Sequence, residues 1–141
     1  MIFRRKRAKP LNLTSLEELE PLYEGDAPVL LDFYQINCRS CKIMDGIVNE
    51  LAEEYEGGAH VVKVDVGKVP GAAQSFGIRS TPTFVVMGRS QKTSKKKRKR
   101  QQEQSDGKPR MTPRWRSSGL VPKDQLMRIL ESNGGRRATA E

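Results

Sequence analysis

Residues 28–36, PVLLDFYQI, constrain this chain more than any other segment. The run is apolar and aromatic, of strand length, and carries a single carboxylate, Asp32, in its interior. A strand with one wet face alternates apolar and polar residues, so an unbroken run belongs to a central strand covered on both sides. The flanking sequence offers the cover. From Cys41 onward, Met44, Ile47, Val48, Leu51, Ala52 and Tyr55 recur at three- and four-residue steps, an amphipathic helix stopped by Gly57-Gly58. Ser15 and Glu18 stand at capping-box spacing around a brief helix carrying Leu16, Leu19 and Leu22.

Further strands are expected at 11–13, 60–66 (HVVKVDV), 81–87 (TPTFVVM) and 111–118 (MTPRWRSS). A short helix over 70–76 closes at Gly77, and Pro122 opens a last helix with Leu126, Ile129 and Leu130 inward. The order β-α-β-α-β-α-β-β-α predicts an α/β fold, a central mixed β-sheet flanked by helices. A length of 141 residues suits one domain. No apolar run approaches the roughly 20 residues that cross a bilayer, so no transmembrane segment is expected. The basic start, MIFRRKRAKP, has no apolar stretch behind it and does not read as a secretory signal.

The formal net charge of +9 comes from two segments. Residues 1–10 hold five basic side chains and no acid, and residues 89–116 hold twelve against two. The remainder has nine basic and fifteen acidic side chains, so the domain proper is acidic. Residues 89–112 contain KKKRKR at 95–100 and almost no aliphatic side chain before Met111. With so little apolar surface to offset its ordering entropy, this stretch is expected to be a disordered basic insertion in the last β-hairpin. The predicted organisation is a basic N-terminal arm at 1–10, a domain over 11–132 interrupted at 89–112, and a flexible tail at 133–141. Lysines and arginines replace phosphate counterions, so nucleic acid or another polyanion is a candidate partner of 95–100; the plainer reading is a solvated spacer. Trp115, between Arg114 and Arg116, is compatible with base stacking but reads first as a hairpin residue packed on the sheet.

Two cysteines cannot build a multi-disulfide scaffold. Cys38-Arg39-Ser40-Cys41 lies where the buried strand turns into the long helix. A sulfur at a helix start faces unpaired backbone N–H groups and the positive end of the dipole, and both favour thiolate over thiol. Cys38 is therefore the more acidic and nucleophilic sulfur, with Arg39 adding a cation that pushes its pKa the same way. Cys41, three residues on, shares the helix face and is placed to resolve a mixed disulfide. Half a zinc site would need two further ligands, with His60 the only other soft donor, and two inert buried thiols are the other alternative. A C-x-x-C at a strand–helix junction reads foremost as a redox motif, with no metal.

These residues resemble the thioredoxin family over 11–88 and 115–132. VLLDFYQINCRSCK is similar to the family's strand–dithiol–helix segment. VVKVDV and PGAAQSFGIRSTPTFVVM resemble its next strand, helix and proline loop, and SSGLVPKDQLMRIL its last strand end and final helix. The resemblance implies a thioredoxin fold and thiol–disulfide exchange, the reduction of protein disulfides, with no cofactor beyond a redox-active Cys38–Cys41 disulfide. Carried over residue by residue, Cys38 would attack and Cys41 would resolve. Asp32 would be the buried carboxylate behind Cys41 that accepts its proton, and Lys63 would be the ionic partner of Asp32. Pro82, after Thr81, would be the family's cis-proline facing the dithiol. Tyr34, Thr81, Pro82, Gly119 and Leu120 would line the shallow groove for an extended substrate segment.

The partners implied are protein disulfide substrates and a reductase as electron donor, in a cytoplasmic setting. Three features depart from the family. Asn37 stands where a tryptophan is usual, Arg39-Ser40 replaces Gly-Pro between the cysteines, and the basic insertion interrupts the hairpin. The alternative function is a thioredoxin-like binding module whose basic arms hold nucleic acid or an acidic partner, with little redox turnover.

Overall fold

The apolar run forms β2 (Val29–Tyr34), whose residues 29–33 are all buried at the centre of a five-stranded sheet. The computed structural model describes residues 8–90 and 109–138. β1 (Leu11–Asn12), β3 (His60–Asp65), β4 (Thr83–Arg89) and β5 (Met111–Ser118) complete the sheet in the order β1-β3-β2-β4-β5. β1, β3 and β2 run parallel, β4 is antiparallel to β2, and β5 is antiparallel to β4. A 3-10 turn (Leu16–Glu18) leads into α1 (Leu19–Tyr23), and α2 (Arg39–Glu54), α3 (Ala72–Phe76) and α4 (Lys123–Ser132) follow. The element order is the one the sequence predicts, capping box included: Ser15 caps the 3-10 turn and Glu18 reaches back to the Ser15 N–H at 2.7 Å. Among the described residues no helix is long and apolar enough to cross a membrane.

Alternating strand residues feed two cores. Leu30, Val61, Phe84 and Val86 meet Met44, Val48 and Leu51 of α2 and Leu126 and Leu130 of α4. On the opposite face Leu31, Phe33, Val62, Val64 and Val85 meet Leu13, Leu19 and Ala72, and the Phe33 and Phe76 rings lie 5.0 Å apart. Asp32 shares the side of β2 taken by Leu30 and so enters the core beneath α2.

The last hairpin is longer than expected. Gly88 pairs with Thr112 and Arg89 with Met111, so the interruption placed over 89–112 excludes Arg89, Met111 and Thr112, which are strand. Arg89 explains the extension: its guanidinium donates to the carbonyls of Tyr23, Gly25 and Pro109, tying the hairpin end to the chain leaving α1. A positive charge that composition assigns to a solvated segment is here a structural clamp. Arg116 is another, donating to the carbonyls of Phe76 and Gly77 at 2.6 Å each, where a cation complements the end of α3. Trp115 is half-buried and packs on the α2–α4 core, as a hairpin residue does. The 95–100 run and residues 1–7 of the N-terminal arm lie outside the described residues.

The tail also departs from expectation. Instead of fraying from Asn133, residues 134–138 dock on the end of α2. The Gly135 N–H donates to Leu130 at 2.7 Å, the Arg136 N–H to Gly58 at 3.3 Å and the Ala138 N–H to Glu54 at 2.6 Å. The Tyr55 hydroxyl reaches across to Glu131 at 2.7 Å. These are backbone and single side-chain bonds with no apolar periodicity, so no pattern announced them. Gly58 makes the approach possible, because a Cβ there would lie 1.9 Å from the Arg136 carbonyl oxygen. Gly58→Ala is therefore expected to expel the tail: the Arg136 and Ala138 amides lose protection in hydrogen exchange, and stability falls by about 1–2 kcal/mol. Undiminished protection in that variant would contradict the docking.

Candidate redox site

Where β2 ends, a short turn delivers Cys38 as the N-cap of the 16-residue α2. Cys38 keeps an extended backbone, so its side chain folds back over the first helical turn, and the Cys41 N–H points at Cys38 Sγ at 3.1 Å. The sulfur occupies the place a serine or aspartate oxygen usually takes, among unpaired N–H groups at the positive helix end. Both effects stabilise a thiolate there once the pair is reduced. Cys38 is half-exposed and Cys41 is buried, and the two are joined in a disulfide with Cα atoms 5.2 Å apart. Arg39, the first helical residue, is exposed.

The proline loop lies against this pair. The Thr81–Pro82 bond is cis, and the Thr81 carbonyl oxygen stands 3.4 Å from Cys38 Sγ. The Gly119 N–H donates to the Pro82 carbonyl at 2.8 Å, which brings Gly119 and Leu120 to the same end of the sheet. Tyr34, half-buried at the end of β2, completes the set. Leu120 is 59% exposed, and Ile36 and Ile43 are exposed as well. Ile36, which the sequence reading places in the buried run 28–36, lies past the end of β2 and is exposed, because the strand ends at Tyr34; Ile43, on the wet face of α2, carries no periodic signal. His60, by contrast, is remote: it pairs with Val29 at the far end of β2, about 16 Å along the strands from Tyr34, and cannot share an ion with the cysteines.

Asp32 lies beneath α2 at 1% exposure, and among the described residues neither of its carboxylate oxygens has a hydrogen-bond partner. Burial pushes its pKa up to about 7; the Lys63 charge opposes that rise and the Asp45 charge adds to it. The direct salt bridge of Lys63 is with Asp45, while its charge reaches Asp32, the partner that the resemblance implies, through space. Lys63 sits beside Asp32 in the β2–β3 register, yet its Nζ lies 2.8 Å from Asp45 Oδ1 and 4.6 Å from the centre of the Tyr34 ring. The physical reason is hydration. The Asp45 side chain is 41% exposed, so pairing with it leaves both charges partly solvated, whereas pairing with Asp32 would strip water from the ammonium. Asp45 was the residue to find, and its signal was spacing: it follows Cys41 by four residues and so shares its helix face.

The family model described as Thioredoxin matches residues 13–106. Thioredoxin 1 of Nostoc sp. (strain PCC 7120) is 38% identical over 73 residues, 52% of this chain and 68% of its own length. The chloroplastic thioredoxin Y2 of Arabidopsis thaliana is 31% identical over 129 residues, 91% of this chain and 63% of its own length. For the chloroplastic thioredoxin Y1 of the same plant the identity is 39% over 83 residues, 59% of this chain and 47% of that one. The chain thus spans about half to two thirds of the length of these relatives. The solved structure of a mutant thioredoxin from Halobacterium salinarum NRC-1 superposes with a TM-score of 0.66 at 26% identity, covering 94% of this chain and 96% of that one. The thioredoxin of Malassezia sympodialis shares the fold, with a TM-score of 0.68 at 19% identity, covering 94% and 97%. Matched sequence, matched fold and a paired C-x-x-C agree: the chain belongs to the thioredoxin family, whose chemistry is thiol–disulfide exchange.

Proposed function

We propose that this chain reduces protein disulfides, with Cys38 as nucleophile, Cys41 as resolving thiol and Asp32 as proton acceptor for Cys41. The observation that supports the reading is the unequal burial of the two sulfurs, Cys38 half-exposed and Cys41 buried, at the start of a helix packed over the β2 face that bears the buried Asp32. A reduced Cys38 thiolate, reachable from solvent, attacks one sulfur of a substrate disulfide and expels the other as a thiolate. Cys41 then gives its proton to Asp32 and attacks Cys38 Sγ. The mixed disulfide breaks, the second substrate thiolate leaves, and the Cys38–Cys41 disulfide forms. Two electrons have passed to the substrate, and a reductase restores the dithiol. With its pKa raised to about 7, Asp32 holds either protonation state near neutrality, which is what an acceptor that must be reset requires.

An extended substrate segment fits across Tyr34, Thr81, Pro82, Gly119 and Leu120, where the exposed Ile36 and Leu120 offer apolar contact. We place the reaction in a reducing compartment such as the cytoplasm, where a dithiol stays poised to donate electrons. The binding-module alternative draws on 95–100, outside the described residues, and nothing in the described site favours it.

Insulin reduction driven by a small dithiol tests the activity. The intact chain is expected to accelerate it, Cys38→Ser to abolish the gain, and Cys41→Ser to accumulate mixed disulfides through Cys38 that appear on non-reducing gels. An intact chain no faster than background would refute the proposal. Asp32→Asn tests the acceptor. Folding raises this carboxyl from its ordinary value to about 7, so the native state binds the proton more tightly than the unfolded state. Its contribution to stability is full below pH 4 and is lost as pH rises through about 7. The variant should therefore gain on the parent protein between pH 4 and pH 8, by at most roughly 4 kcal/mol in urea unfolding. Taking the difference between the two pH values cancels the cost of burying the amide. The same variant should resolve mixed disulfides at least about tenfold more slowly at pH 7.

A further inference from the structure

We propose that Asp45 is a positioning residue for the exchange reaction: it holds the Lys63 ammonium off Asp32 and so keeps that carboxylate a usable base for the Cys41 proton. The inference rests on Asp32 being that base. Four groups meet between the sheet and α2. Asp32 and Lys63 are register partners on β2 and β3, and Cys41 and Asp45 are one turn apart on the facing helix. Within this group the lysine makes its choice visibly, with its Nζ 2.8 Å from Asp45 Oδ1 while both Asp32 oxygens go without a hydrogen bond. The Tyr34 ring, 4.6 Å from the ammonium, supports it in that position.

The chemistry depends on which carboxylate the lysine serves. An ammonium bonded directly to Asp32 would hold it ionised and acidic, and an acidic carboxylate is a poor acceptor for a thiol proton. Turned toward Asp45, Lys63 still attracts the Asp32 charge through space but does not satisfy it. The other groups facing Asp32 are few. Phe84 of β4, its second register partner, is apolar, as are Leu126 and Leu130 of α4 in the same core. Tyr34 lies two residues along β2, and Cys41 is a buried residue of α2, the helix over this face. Asp45 and Lys63 thus supply the fixed charges around this carboxyl.

The test is the titration of the Asp32 side-chain carboxyl by carbon NMR on the full oxidised chain, without substrate. In Asp45→Asn the midpoint should fall by at least about one pH unit, since a charge about 4 Å away at an effective dielectric of about 20 amounts to about three. Asp45→Glu, which keeps the charge, should restore it. In a Lys63→Met background the same Asp45→Asn change should move the midpoint much less, because no ammonium remains to be released. An unchanged midpoint in Asp45→Asn, or a shift of equal size without Lys63, would overturn the assignment of Asp45. The pH profile of insulin reduction separates this failure from the other one. Its acid limb should move with the carboxyl in Asp45→Asn; a carboxyl that moves beneath a fixed profile would refute Asp32 as the base, and the positioning role with it.

Discussion

The parallel register of β2 on β3 sets Asp32 beside Lys63 and lays both under α2. Sliding β2 by one residue would turn the carboxylate toward α1 and α3 and carry every apolar side chain of 29–33 to the wrong core. That slip is prohibitive because β2 is buried on both faces and all its neighbours are fitted to it. The apolar run that makes the sheet therefore also holds the acid of the site in place. No separate device is needed to turn the carboxylate toward α2; the pleat of the central strand does it.

Two positions in this site yield stability to chemistry. A buried carboxyl without a hydrogen-bond partner among the described residues opposes folding at neutral pH, where its charged form lacks solvent. The N-cap of α2 goes to a cysteine, although serine, threonine and aspartate cap helices better. Both departures lie on the β2–α2 segment of the chain, and the core beside them is ordinary, built of apolar side chains from three strands and two helices. Local rules are kept across the fold and broken where the electrons pass.

The parts of the molecule that were legible in the sequence are those with a period or a spacing. β2 announced itself by continuous apolarity, α2 by its three-and-four repeat, the 3-10 turn by Ser15 and Glu18, and the redox pair by its place at a strand–helix junction. The illegible parts depend on a choice among partners that only geometry decides. Lys63 had two carboxylates within reach, and hydration selected Asp45. Arg89 reads as a member of a charged, solvated stretch and Arg116 as one more basic strand residue, because composition cannot show which guanidinium finds a pair of carbonyls. The docked tail rests on backbone bonds and a missing Cβ at Gly58, neither of which leaves a hydropathy signature.

The Arg89–Met111 pair closes β4 on β5, with the Arg89 clamp behind it, at the end of the hairpin away from the Thr83–Ser118 pair beside the proline loop. The domain is therefore sealed before the intervening segment begins. Closing a longer loop between two ends already held together adds only about 0.6 kcal/mol per doubling of its length. That end of the hairpin can take segments of different length or charge at small cost to the fold, because it lies at the opposite end of β4 from the proline loop and the dithiol.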